Sequence, residues 1–116
     1  MRGFGGLAKP SYFLIHTSYF KKMVIGVLTL HLHIPMAFSL KDKRQVVKSV
    51  TARLRNEFNV SVAEVGGQTV WNEAVIAAVT VSGSRDYAHG LLTRVAQWVE
   101  NTRLDCELVE FDIEFV

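Results

Sequence analysis

The sequence has one cysteine, two prolines, and no acidic residue in its first 22 positions. Each scarcity excludes something. A single cysteine, Cys106, rules out an internal disulfide and any zinc site built on several cysteines. With no disulfide to form, a reducing, cytoplasmic setting is the default expectation. Long apolar runs are missing too. The stretch "SYFLIHTSYF" in the amino-terminal segment is broken by His16, Thr17 and Ser18, and at about ten residues it is too short to span a bilayer. Lys21 and Lys22 come directly after it, where a signal peptide would place small residues. No membrane partner is expected.

The absence of acids from residues 1–22 changes how the net charge reads. Arg2, Lys9, Lys21 and Lys22 give that segment +4 of a formal total of +2, so the other 94 residues sum to −2. Whole-chain basicity is therefore no argument for nucleic acid. Inside the domain the charge is uneven. Residues 40–58 hold six Lys and Arg against Asp42 and Glu57, while residues 100–116 hold six acids against Arg103. Such a separation orients a field that steers charged partners.

Residues 1–22 carry no strand or helix pattern. "MRGFGG" is glycine-rich, and Pro10 interrupts the segment in its middle. They are expected to be an extension, either not native, with Met23 as the start, or an arm whose Tyr12, Phe13, Leu14, Ile15, Tyr19 and Phe20 suit covering an apolar surface. The domain is expected at 23–116. "MVIGVLTLHLHI" alternates Val24, Leu28, Leu30, Leu32 and Ile34 on one side, interrupted by Gly26, and reads as a half-buried strand ended by Pro35. Ser39 then caps a helix over 40–58, with Asp42 three residues on. Its apolar face is Val46, Val47, Val50, Leu54 and Phe58. "NVSVAEV" is a second strand, "GGQ" a turn, and "WNEAVIAAVTVS" a third strand. Ser84 caps a second helix with the stripe Ala88, Leu91, Leu92, Val95 and Val99, and "CELVEFDIEFV" alternates apolar Val109, Phe111, Ile113 and Phe115 with acids. The order β-α-β-β-α-β predicts an α+β, ferredoxin-like fold: a four-stranded antiparallel sheet in the order 4-1-3-2 with two helices on one face.

The first helix begins with Lys41, Lys43 and Arg44, although cations are disfavoured at a helix amino end. On a helical wheel Lys41, Arg44, Lys48 and Arg55 fall within about 60° of one another. Lys43 points toward the core side, where its stem is expected to lie on apolar surface while its ammonium reaches water. A solvated face explains charge in general, but Asp42 alone cannot neutralise three cations. Free amides at the helix start together with Lys41, Lys43, Arg44, Lys48 and Arg55 suit phosphate, with RNA as the polyanion.

The block "SLKDKR", then "FNVSVAEV" and then Trp71, resembles the YlxP-like family of small bacterial proteins of uncharacterised function, over about residues 23–116. The resemblance implies a ferredoxin-like fold. Members are often encoded among genes for transcription elongation, translation initiation and ribosome maturation, which implies a ribosomal RNA or ribosome-linked role. It implies no catalytic site.

The remaining candidates are weaker. His31 and His33 project from one face of a strand, and Glu110 on the last strand is expected near, but spacing fixes no third metal ligand; pairing with acids across strands is the expectation. Cys106 has no adjacent cation to activate it. Gly66 and Gly67 lead into a strand, not a helix, and form no phosphate loop. No catalytic residues, metal or cofactor emerge. The open sheet face is acidic along the last strand and lacks aromatics, so it is a poor platform for stacking bases. Trp71 is expected to pack near the hairpin. That face is still apolar at Ile25, Val27 and Ile76, which supports the alternative of a homo-oligomeric interaction module with no nucleic-acid role.

Because the periodic pattern starts at Met23, a chain of residues 23–116 is expected to melt within a few degrees of the full chain. Differential scanning calorimetry of both checks this; a shortened chain that fails to fold would mean that the first 22 residues complete the core.

Overall fold

The computed structural model describes residues 19–116. The expectation for residues 1–22 thus lies mostly outside the described residues; of these, 19–22 are helical and exposed. From there the order is β1 (Val24–His33), α1 (Leu40–Glu57), β2 (Ser61–Gly66), β3 (Glu73–Ser82), α2 (Arg85–Asn101) and β4 (Glu107–Phe115). The sheet runs β2-β3-β1-β4, every pair antiparallel, which counted from the other edge is 4-1-3-2. Both long helices pack on one face. Leu28, Leu30, Leu32, Ala74, Ile76, Ala78 and Val62 of the sheet form one core with Val47, Val50 and Leu54 of α1 and Leu92, Val95 and Val99 of α2.

Gly26 explains its own interruption of the β1 face. A Cβ there would stand 2.8 Å from Leu92 Cδ1 and 3.4 Å from the Phe115 ring, so glycine lets α2 approach the sheet. Both helices are capped as their sequences predict: Ser39 Oγ accepts from the Asp42 amide at 3.1 Å and Ser84 Oγ from the Tyr87 amide at 3.1 Å.

Three expectations are corrected. Ile76 is not on the open face. It pairs with Leu30 and is fully buried under the helices. The residues of β3 that face outward are Val75, Ala77, Val79 and Val81, opposite His31, Thr29, Val27 and Ile25. The strict alternation of β4 also fails. A bulge comes after Leu108, so Leu108 pairs with Leu32 and Glu110 with His31, and Val109 is left 67% exposed.

The third correction concerns Lys43. Its ammonium does not reach water; the residue is 1% exposed and is among the largest fully buried side chains. Its Nζ donates to the Gly67 carbonyl and lies 2.9 Å from Glu64 Oε2, a buried oxygen with no other partner. Glu64, two residues after buried Val62, pairs with Ile76 on the helix side of the sheet; Val65 is exposed, and a second bulge follows between Glu64 and Gly66. The next residue, Gly67, has φ +75°, a conformation that side chains rarely adopt. One lysine thus joins the first turn of α1 to the β2–β3 hairpin.

Removing one partner of a buried ion pair is far more damaging than replacing both. Glu64→Ala is expected to cost about 3 kcal/mol, the low end of that range because the carboxylate is partly open to water. The double change Lys43→Met with Glu64→Leu is expected to cost less than Glu64→Ala alone. Urea denaturation of the parent and the two variants decides it; a double variant that loses more than Glu64→Ala would mean that the two charges are not coupled.

Candidate nucleic-acid interface

The amino end of α1 is built by short-range bonds. Asp42 Oδ2 accepts from the Phe38 amide at 3.1 Å, the Lys43 amide donates to the Ser39 carbonyl at 3.1 Å, and Ser39 Oγ takes the Asp42 amide. The first amides of a helix have no acceptor within it, and those of Leu40 and Lys41 therefore face outward. Lys41 and Arg44 are exposed beside them, and Lys48 continues the same side one turn on. These three form no ion pair among the described residues. From Lys41 to Lys48 the stripe is about 10 Å long at 1.5 Å per residue.

The other two cations of the sequence-derived set are engaged elsewhere. Lys43 is inside, as described. Arg55 is exposed, but its Nη2 donates to the Val62 carbonyl at 2.8 Å, fastening the end of α1 to β2. Arg53, on the opposite flank, has its guanidinium 5.4 Å from the centre of the Trp98 ring and donates to the Arg103 carbonyl. Of the five residues, Lys41, Arg44 and Lys48 remain available.

The acids occupy a different part of the molecule. Glu107, Glu110, Asp112 and Glu114 stand on the open face of β4, in register with His33, His31, Thr29 and Val27. His31 Nε2 and Glu110 Oε2 are 4.0 Å apart, the cross-strand pairing that the spacing suggested. No three His, Cys, Asp or Glu side chains come together to hold a metal among the described residues. The Cys106 thiol is pushed up to about 11, first by burial and then by the neighbouring Asp105 and Glu107 carboxylates. It stays protonated at neutral pH and is a poor nucleophile. No helix among the described residues is long and apolar enough to cross a membrane.

Trp71 departs from its expectation. It is 51% exposed, on the loop that leads into β3. The backbone beside it is held: the Ile34 amide donates to the Asn72 carbonyl at 2.8 Å and the Val70 amide to the Gly67 carbonyl at 3.0 Å. These bonds, with that from Lys43 to Gly67, bring the β1–α1 loop, the start of α1 and the β2–β3 loop to one end of the domain. A family model described as "Protein of unknown function (DUF503)" matches residues 25–113. The chain belongs to that family. It is 38% identical over 65 residues to the uncharacterized protein YlxP of Bacillus subtilis, covering 56% of this chain and 71% of that protein. Among solved structures it is similar to the de novo designed protein Foldit4, with a TM-score of 0.47 at 12% identity, covering 81% of this chain and 96% of the other. Lys43 and Glu64 both lie within the span of the family match and within the two sequence blocks that suggested the family.

Sequence reasoning missed Glu64. The available signal was Lys43 itself, a cation on the apolar side of a helix whose first turns set one acid, Asp42, against three cations, which calls for a buried carboxylate partner.

Proposed function

We propose that this DUF503 member is a non-catalytic, RNA- or ribosome-associated accessory protein that binds phosphate through the start of α1. The observation that carries this reading is the trio Lys41, Arg44 and Lys48. All three are exposed, share one side of the helix and have no acidic partner among the described residues. Two of them sit where the helix dipole opposes positive charge. A phosphate bound at the outward-facing amides reverses that penalty. The acidic row of β4 lies at the other edge of the sheet, so the field orients α1 toward a polyanion and turns the open face away. Contacts of this kind position a protein on RNA and carry little sequence information.

Three phosphate contacts predict a log–log dependence of affinity on salt with a slope of about −2 to −3. Changing Lys41, Arg44 and Lys48 together to Gln is expected to abolish binding of ribosomal RNA fragments while leaving the melting temperature unchanged. Lys48→Gln alone should lower the magnitude of the slope by about one contact. Filter binding over a salt series measures both. Parent-like affinity in the triple variant reduces the stripe to a solvated face.

A second reading is favoured by the sheet. Ile25, Val27, Val75, Ala77, Val79 and Val81 form an aliphatic field across the two central strands, on the side away from α1 and α2; Val81 is 62% exposed and lies beside Tyr19 and Lys22, and the other five are half-buried. Such fields mark contacts, and a second copy of the chain presents the same apolar centre. Sedimentation equilibrium at micromolar concentration is then expected to give a dimer that Val27→Asp dissociates. A strict monomer, with or without residues 1–22, removes this reading.

A further inference from the structure

The end of the domain that carries Lys41 and Arg44 also displays large apolar side chains. Phe38 is 73% exposed, Met36 72%, Trp71 51% and Val70 41%. They lie on the two loops that the Ile34–Asn72 bond and the Lys43–Gly67 bond hold together. These loops are anchored from beneath: Ile34 and Ala37 are buried, and the Phe38 amide is fixed on Asp42. The backbone is set, yet the Phe38 ring is left facing water and Trp71 is half exposed. Neither ring stacks on another aromatic among the described residues, whereas Phe58 and Trp98 at the far end of α1 pack edge to face at 6.0 Å. Exposed aromatics on a fixed frame, beside cations and free helix amides, are the elements of a site for unpaired nucleotides, which needs π-faces for bases and positive charge for the backbone.

We propose that the RNA contacted by α1 is single-stranded where it meets the protein, with bases stacked on Phe38 and Trp71 and the adjoining phosphates on Lys41 and Arg44. This rests on the RNA-binding reading above and narrows it from phosphate in general to unpaired RNA. The charge pattern selects the occupant. A purely apolar partner would leave Lys41 and Arg44 unpaired at its rim, and a duplex would satisfy the cations while leaving both rings in water.

Each stacked base is worth enough that its loss weakens binding about tenfold or more. Fluorescence titration of the full chain with a single-stranded oligoribonucleotide, and with a duplex of equal length, tests the proposal. The expected result is tighter binding of the single strand, with quenching of tryptophan emission. Phe38→Leu and Trp71→Leu should each weaken it about tenfold and leave the salt slope unchanged. Trp71→Phe, which keeps an aromatic face, should retain the affinity and lose most of the quench, because the remaining Trp98 is remote. Melting curves confirm that each variant is folded. Loop variants that bind as the parent does, or a duplex bound as well as the single strand, overturn the stacking proposal while the phosphate reading survives. Should neither RNA bind, both the stacking proposal and the phosphate reading fail.

Discussion

The buried contact of Lys43 with Glu64 and the Gly67 carbonyl fixes the part of this molecule that everything else uses. α1 packs against β2, an edge strand. Without a specific tie its first turn could slide along the sheet. Lys43 reaches from that turn to the last core-side position of β2 and to the residue where the hairpin reverses. A buried ion pair contributes little net stability, since desolvation offsets the attraction, but it discriminates sharply among arrangements, because any shift leaves a charge unpaired. Fixing this register sets the helix amino end, the 67–72 loop and the β1–α1 loop relative to one another.

The same contact resolves a conflict of charge. Three cations in the first turns of a helix oppose its dipole. Glu64 removes one of them from that balance by pairing with it inside the protein, and Asp42 is engaged by the Phe38 amide as part of the cap. What is left unbalanced is Lys41 and Arg44 in water, with Lys48 one turn further on. The unfavourable placement is thereby confined to exposed residues, where its cost is small and where a ligand can reverse it.

Much of the fold was legible because both helices are strongly periodic and capped by serines, and because Pro35 and the Gly66–Gly67 pair mark the breaks. The failures have specific causes. In β3 both alternations are apolar: Ala74, Ile76 and Ala78 face the helices, while Val75, Val79 and Val81 face out. Small residues occupy the inward row because helices pack closely there, and the β-branched residues outside imitate a core face. Periodicity cannot choose between the rows; the pairing of Ile76 with Leu30 does. In β4 a bulge shifts the parity partway along the strand, which places Leu108 on the helix side and sends Val109 outward. A bulge depends on the partner strand and leaves no mark on alternation. For the candidate site, the wheel put Lys41, Arg44, Lys48 and Arg55 on one side of the helix, and all four are exposed. It could not know that Arg55 would find the Val62 carbonyl, since that acceptor belongs to the next element.

The distribution of aromatic residues is a consequence of these constraints. In a sheet of this topology the outward faces of the two central strands are the obvious flat platform for bases. Here they carry small aliphatics and histidines, and the neighbouring β4 adds a row of carboxylates that repels phosphate. Affinity for a polyanion is then sought elsewhere, and the start of α1 sets Lys41 and Arg44 beside helix-start amides. The loops that flank it are the surfaces from which side chains can reach the same ligand. Phe38 and Trp71 stand on those loops, exposed, while the buried aliphatic core is complete without them. On an anchored backbone, the exposed Phe38 ring and the exposed half of Trp71 add little to the packing of the isolated domain. In the proposed function their placement serves a contact at this end of the molecule, and the cations beside them suit a partner of negative charge.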